Sequence, residues 1–172
     1  QQDFRPTLTA TELSHYHDDG RGVARLAADV RAALDDLRWC DSLILVYPTW
    51  WMNMPAMLKG YFDRTLVPGE GGAWRLPPPV GAGDDGAASN GLVPQLTNVK
   101  RVAGFSTYGA PRHIALLAGD NGRNTIATAV RPLFDKECTC LWLGLYDVHG
   151  ASESVRRAFL KQVRECVRDL DF

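Results

Sequence analysis

The stretch DSLILVYPTWWMNMPAMLKGYFDR, residues 41–64, constrains the fold more than any other part of the chain. Residues 42–47 are an apolar run of Leu, Ile and Val between an acid and a proline, too short for a helix, which predicts a strand buried on both faces. Pro48 ends it. A turn with two adjacent tryptophans, Trp50 and Trp51, comes next, and Pro55 takes the place of a first helical residue ahead of Leu58, Tyr61, Phe62 and Thr65 at helical spacing. The unit is strand, aromatic loop, helix. In an open α/β sheet, ligands bind at loops on the carboxyl ends of strands, and this loop offers main-chain N–H groups beside large aromatic surfaces.

The remaining sequence repeats that alternation. Residues 1–9 read as an extended connector, and Thr9 followed three residues later by Glu12 has the spacing of a capping box over a short helical turn. His15 and His17 flank Tyr16 on different sides of such a turn and read as exposed polar residues, not a metal pair. Val23, Leu26, Val30, Leu34 and Leu37 predict an amphipathic helix of about four turns, closed against the next strand by Trp39. Past the Pro55 helix, residues 67–90 lose all packing period to proline and glycine. Trp74 and Leu76 are expected to anchor the near half of this excursion, with 68–76 on the cofactor or partner-subunit side and 77–90 a flexible insert.

A strand over 99–107 follows, then a helix over 124–134 with Ile126, Val130, Leu133 and Phe134 on one face and Pro132 kinking or ending it. A strand over 139–146 leads to a last helix capped by Ser152, with Glu153 in its first turn and a buried stripe of Val155, Phe159, Val163, Cys166, Val167 and Leu170. The expected fold is α/β, one domain over 1–172 with a parallel sheet and right-handed crossovers.

Composition excludes several classes. Nineteen Lys and Arg against twenty Asp and Glu leave a formal net charge of −1, so no basic excess neutralises a nucleic-acid backbone. No apolar run is long enough to span a bilayer and no signal peptide is visible, which gives a cytoplasmic expectation. Cys40, Cys138, Cys140 and Cys166 complete no zinc pattern and read as buried free thiols, with no metal site.

The wording of three blocks is also informative. VYPTWWMNMPAMLKGYFDRTLVPG, FSTYGAPR at 105–112 and LWLGLYDV at 141–148 resemble, in order, segments of the flavodoxin-like NAD(P)H:quinone oxidoreductases, the family of DT-diaphorase and its bacterial flavodoxin_2 relatives. The resemblance implies a flavodoxin-like open parallel sheet with helices on both faces, FMN or FAD as cofactor, NAD(P)H as co-substrate, a small-molecule acceptor such as a quinone, and a homodimer. It implies that the loop with Pro48, Thr49, Trp50, Trp51, Met52 and Asn53 contacts the isoalloxazine ring, and that Ser106, Thr107, Tyr108, Gly109 and Ala110 form the other wall. A flavin needs a flat slot, donors at the ring edge and a cradle for its phosphate. The main-chain N–H groups of 49–53 and the indoles suit the first two, since adjacent tryptophans cannot both face inward from a strand end. Gly109 permits close backbone approach or positive φ.

A tyrosine and histidine pair assists hydride transfer in DT-diaphorase; no pair stands at matching positions, and Tyr108 and His113 are the nearest chemical substitutes. His113 also reads as a surface histidine beside Arg112, whose guanidinium can meet a nicotinamide cofactor's phosphate. The family's first strand and phosphate-binding turn are missing before the first helix, and the first residue is Gln. The expectation is therefore a fragment of a longer chain; otherwise the 42–47 strand has an unpaired edge and flavin affinity is poor. Three functions compete: a flavin-dependent two-electron reductase of quinones acting by ping-pong hydride transfer, a flavodoxin-like regulatory or interaction subunit with little catalysis, and a one-electron FMN carrier, against which the balanced charge argues.

Overall fold

The computed structural model describes residues 4–17, 25–77 and 91–169. In chain order the elements are α1 (Ala10–Ser14), α2 (Ala28–Trp39), β1 (Ser42–Pro48), α3 (Ala56–Thr65), β2 (Trp74–Arg75), β3 (Val93–Pro94), β4 (Arg101–Thr107), α4 (Arg112–Leu117), α5 (Asn121–Thr125), β5 (Thr139–Leu145) and α6 (Glu153–Arg168). They divide between two compact units, one of residues 1–41, 56–100 and 132–137 and the other of residues 42–55, 101–131 and 138–172.

The second unit holds a parallel three-stranded sheet in the order β1-β4-β5. In register, Tyr47 faces Ser106 and Ser106 faces Gly144, while Gly104 stands between Leu45 and Trp142. β4 is central and its interior residues, 102 to 106, are all buried, which follows from having a strand on each side. β1 is an edge strand. Leu45 and Tyr47 are buried, but Ile44 and Val46 are 37% and 75% exposed, so the expectation of burial on both faces fails. A continuous apolar run does not reveal whether both faces are covered; the two-residue period then puts 44 and 46 on one open face.

α5 continues into a π-helical turn (Ile126–Val130) and a 3₁₀ turn (Arg131–Leu133). The helix expected over 124–134 therefore starts earlier and loses its α geometry before Pro132, which cannot donate to the preceding turn. α4 was not anticipated. α6 is capped as expected, Val155 N–H donating to Ser152 Oγ at 3.3 Å with Glu153 in the first turn. Its apolar stripe is a correction: no residue of the helix is fully buried, Val155 is exposed, and Phe159, Val163, Cys166 and Val167 are half-buried. Leu170 lies outside the described residues.

In the first unit, α1 carries the full capping box, with Thr9 Oγ1 accepting from Glu12 N–H and Glu12 Oε2 accepting from Thr9 N–H at 2.8 Å. α2 is shorter than its sequence period: Val30, Leu34 and Leu37 are buried, Leu26 precedes the helix and Val23 lies outside the described residues. Trp39 is 87% exposed and closes nothing. Asn98 Nδ2 instead ties down the end of α2, donating to the carbonyls of Leu37 and Cys40 at 2.8 and 2.6 Å. Arg64 on α3 is buried among Glu12 (2.6 Å), Asp29 (2.8 Å) and the Arg5 carbonyl, with its guanidinium 5.0 Å from the centre of the Phe4 ring. β2 pairs antiparallel with β3. Trp74 does anchor this segment through its indole N–H on the Leu66 carbonyl at 2.9 Å, whereas Leu76 is exposed. The insert expected over 77–90 falls, apart from Pro77, outside the described residues.

None of the four cysteines stands in a disulfide, but only Cys138 is fully buried; Cys140 is exposed and Cys40 and Cys166 are intermediate, so the expectation of four buried thiols holds for one of them. Among the described residues, no helix is long and apolar enough to cross a membrane and no cluster of His, Cys, Asp and Glu could hold a metal ion.

Candidate functional site

The three parallel strands of the second unit release their following loops at one edge of the sheet. Residues after Pro48, after Thr107 and after Leu145 therefore gather there. The first two loops are joined at their base: Thr49 N–H donates to the Thr107 carbonyl at 2.7 Å, the Thr49 and Ser106 hydroxyls lie 3.0 Å apart, and Ser106 Oγ donates to the Tyr47 carbonyl at 2.8 Å. Ser106, 1% exposed, and Thr49 thus spend their hydroxyls inside the protein.

The aromatic loop is a tight turn. Trp50 and Asn53 exchange both main-chain hydrogen bonds, at 2.9 and 3.0 Å, and Trp51 and Met52 at the tip have φ of +49° and +57°. This is the positive-φ pattern of a type I′ turn built without glycine, at a strain of roughly 1–3 kcal/mol per residue. The turn also consumes donors. Of the amides expected to meet a ligand, those of Thr49, Trp50 and Asn53 are occupied, and Met54 N–H is taken by Asn53 Oδ1 at 2.7 Å. Among the described hydrogen bonds, those of Trp51 and Met52 have no partner, so two main-chain donors remain available at the tip of the turn. Trp50 and Trp51 are 64% and 98% exposed, so neither indole is a core side chain.

The second loop turns at Gly109. Tyr108 N–H bonds the Leu145 carbonyl at 2.8 Å, Val148 N–H the Tyr108 carbonyl and Asp147 N–H the Ala110 carbonyl, leaving the amides of Gly109 and Ala110 without a partner among the described hydrogen bonds. A Cβ on Gly109 would stand 3.6 Å from His149 Nε2, an ordinary van der Waals contact, and Gly109 is not among the positive-φ residues, so neither role expected of this glycine is required by the protein's own backbone and neighbours. Tyr108 is buried: its hydroxyl donates to Asp120 Oδ1 at 2.7 Å and its ring stacks on Tyr146 at 4.4 Å. Burial, reinforced by the Asp120 carboxylate, pushes the phenol well above its ordinary value, so it stays protonated. His113 lies exposed in the first turn of α4, next to the equally exposed Arg112.

Three site residues escaped sequence reasoning. Tyr146 and His149 follow β5 and border the Gly109 loop; the third resembling block stops at Val148, one residue short of the histidine. Asp120 sat in an apparently featureless AGDNG run.

The Flavodoxin_2 family, described as of flavodoxin-like fold, matches residues 1–163. An uncharacterised NAD(P)H oxidoreductase of Haemophilus influenzae is 38% identical over 69 residues, 40% of this chain and 32% of that protein, so the match spans about a third of the relative's length. Among solved structures, an NAD(P)H:quinone oxidoreductase from Methanothermobacter marburgensis aligns over 98% of this chain and 78% of its own, with TM-score 0.72 and 19% identity. An FMN-dependent NADH-azoreductase from Bacillus anthracis, solved with FMN, aligns over 99% of this chain and 78% of its own, with TM-score 0.74 and 15% identity. A parallel sheet with its loops gathered on one edge, together with a family match over nearly the whole chain, places this protein in the Flavodoxin_2 family of flavodoxin-like fold.

Proposed function

We propose that the chain belongs to a flavin-dependent NAD(P)H oxidoreductase that passes two electrons to quinones or similar acceptors by a ping-pong route, with FMN or FAD held between the 48–53 and 106–110 loops. The observation that carries the reading is the strained tip at Trp51 and Met52, whose two amides have no partner among the described hydrogen bonds, as is true of Gly109 and Ala110 on the loop that follows the adjacent strand. The relatives named above, an NAD(P)H oxidoreductase, a quinone oxidoreductase and an FMN-bound azoreductase, support the same chemistry.

A bound flavin supplies two-electron chemistry with a hydride from NAD(P)H. The protein's part is to settle the charge and position of the ring. The four amides donate to its polar edge without bringing a formal charge, and the indoles of Trp50 and Trp51 supply planar apolar surface. Tyr108, with its hydroxyl committed to Asp120, shapes the wall from behind. Tyr146 and His149 stand on the loop that borders Gly109 and are better placed than His113 to donate or accept a proton at a ligand. Among the described residues ahead of β1, no glycine-rich strand-to-helix turn forms a phosphate cradle. Homodimerisation belongs to the same reading, as the resemblance to the quinone oxidoreductase family implies.

The test is the absorption spectrum of the purified full-length protein after flavin reconstitution, followed by NADH and NADPH oxidation with menadione. A flavin spectrum and acceptor-dependent turnover with parallel double-reciprocal plots are expected. Failure to retain either flavin defeats the proposal.

A further inference from the structure

We infer that Asp120, Asn121 and Gly122 form a clasp that fixes the spacing of the two ligand-side loops, with Asp120 the positioning residue for Tyr108. The functional part of this inference rests on the flavin reading above. Each of the three residues touches one wall. Asp120 Oδ1 accepts the hydrogen bond from the Tyr108 hydroxyl at 2.7 Å. Asn121 Nδ2 donates to the Met52 carbonyl at 3.3 Å, at the tip of the strained turn. Gly122 is buried against the base of the same turn, where an added Cβ would stand 2.8 Å from Tyr47 Oη and 3.2 Å from Met54 N.

The chemistry of Asp120 is unusual for its position. It precedes α5, where an aspartate normally takes extended backbone and turns its carboxylate onto the free N–H groups of the first turn. Here it makes no such bond, adopts φ +42° and ψ +49°, and is 4% exposed. The carboxylate has been turned inward, away from capping, to meet the phenol. Its other oxygen, Oδ2, has no hydrogen-bond partner and lies 3.9 Å from Arg123 Nη1. The Tyr47 hydroxyl is likewise buried without a partner, and the Tyr47 ring meets the Trp142 indole edge-on at 5.9 Å. A left-handed backbone, a forgone cap and a buried carboxylate all oppose stability, and outliers of this sort persist where they hold a functional geometry. What they hold is the back of the Gly109 loop, through Tyr108 and its stacking on Tyr146.

The experiment combines amide hydrogen exchange of the flavin-free protein with FMN titration, followed by quenching of flavin fluorescence, for Asp120→Ala, Asp120→Asn, Tyr108→Phe and Gly122→Ala. Asp120→Ala and Tyr108→Phe are expected to speed exchange at 108–110 and to weaken FMN binding about tenfold, the size of effect seen for coupled neighbours, with the double variant no worse than either single one. Asp120→Asn, which keeps an oxygen acceptor for the phenol, should restore most of both. Gly122→Ala should loosen 51–53 and weaken FMN to a similar degree. Should Asp120→Ala fail to fold, Tyr108→Phe carries the same test, because it keeps the ring and its packing. Faster exchange with unchanged FMN affinity overturns the clasp as a positioning device, and unchanged exchange overturns it outright. If the unaltered protein binds no flavin, the flavin reading falls and exchange alone decides: acceleration confined to the two loops upholds the clasp, and its absence overturns it.

Discussion

Replacing Gly104 with alanine tests how the floor of the site is built. Gly104 lies on the central strand directly beside Trp142 on β5, and the indole's six-membered ring is laid across it. A Cβ at this position would come within 2.2 Å of Trp142 Cε3 and Cζ3, so the ring must retreat by about 1.3–1.8 Å to reach ordinary van der Waals contact. The retreat is resisted, because the same indole meets Tyr47 edge-on at 5.9 Å and its N–H is buried. Overpacking of this kind costs about 1–3 kcal/mol, and a contact this short belongs near the upper end. Exchanging glycine for alanine returns roughly 0.4–1 kcal/mol through the unfolded chain. The net loss is then about 2 kcal/mol, or roughly 4–8 °C in Tm for a chain of this length.

The assay is urea denaturation followed by tryptophan fluorescence, run beside Gly91→Ala, where the added Cβ meets nothing within 4 Å and no loss is expected. Adding Trp142→Leu to Gly104→Ala should recover part of the difference, as the offending ring is gone. A Gly104→Ala protein as stable as the parent would refute the packing argument, and an equal loss in Gly91→Ala would show that the cost is not steric.

Three further perturbations follow from the same reasoning. Arg64→Leu should destabilise by about 3–5 kcal/mol in a denaturant titration at neutral pH, since it leaves Glu12 and Asp29 without their buried partner. In the parent, burial raises the Glu12 pKa but the Arg64 guanidinium and the Thr9 cap outweigh it, and Arg64 lowers that of Asp29; this stabilisation is present above the ordinary carboxylate range and lost as pH falls through the depressed values, so Arg64→Leu should show a flatter acid limb. Gly60→Ala would put a Cβ 2.0 Å from the Pro6 carbonyl oxygen and should free the 4–9 segment, read as new cleavage there in limited proteolysis. Trp51→Ala should leave Tm within about 1 °C, the side chain being 98% exposed, yet weaken FMN binding at least fivefold by titration, about 1 kcal/mol of aromatic contact.

Much of the architecture was legible because its signals are local. The Thr9 and Glu12 box, the Val30, Leu34 and Leu37 stripe and the Ser152 cap each depend on residues within a few positions, and each stands where its spacing put it. The apolar strands were equally plain between their prolines and glycines. What escaped depends on partners far away in sequence. No propensity announces left-handed backbone at Trp51 and Met52, because neither residue favours it, and it is held by the Trp50 and Asn53 exchange and the Asn121 bond. Asp120 looked like loop polarity, since an aspartate before a helix is ordinarily a cap and only Tyr108, twelve residues earlier, shows otherwise.

The same distinction explains the residues whose burial was overestimated. A heptad-like stripe on α6 and an unbroken apolar run on β1 record which side of an element is oily, and nothing in either pattern says whether another element lies over it. Val46 and Val155 are exposed on the sides their periodicities select, whereas Leu45 and Tyr47, one residue away on the same strand, are buried on its other face. Period therefore fixes orientation about an axis, and coverage is a property of neighbours. Trp51 carries that argument into the site: a tryptophan read only for hydrophobicity belongs in a core, yet the turn that strains its backbone holds it almost wholly in solvent beside unpartnered amides, and under the proposed function a planar ligand with an apolar face and a polar edge would satisfy both at once.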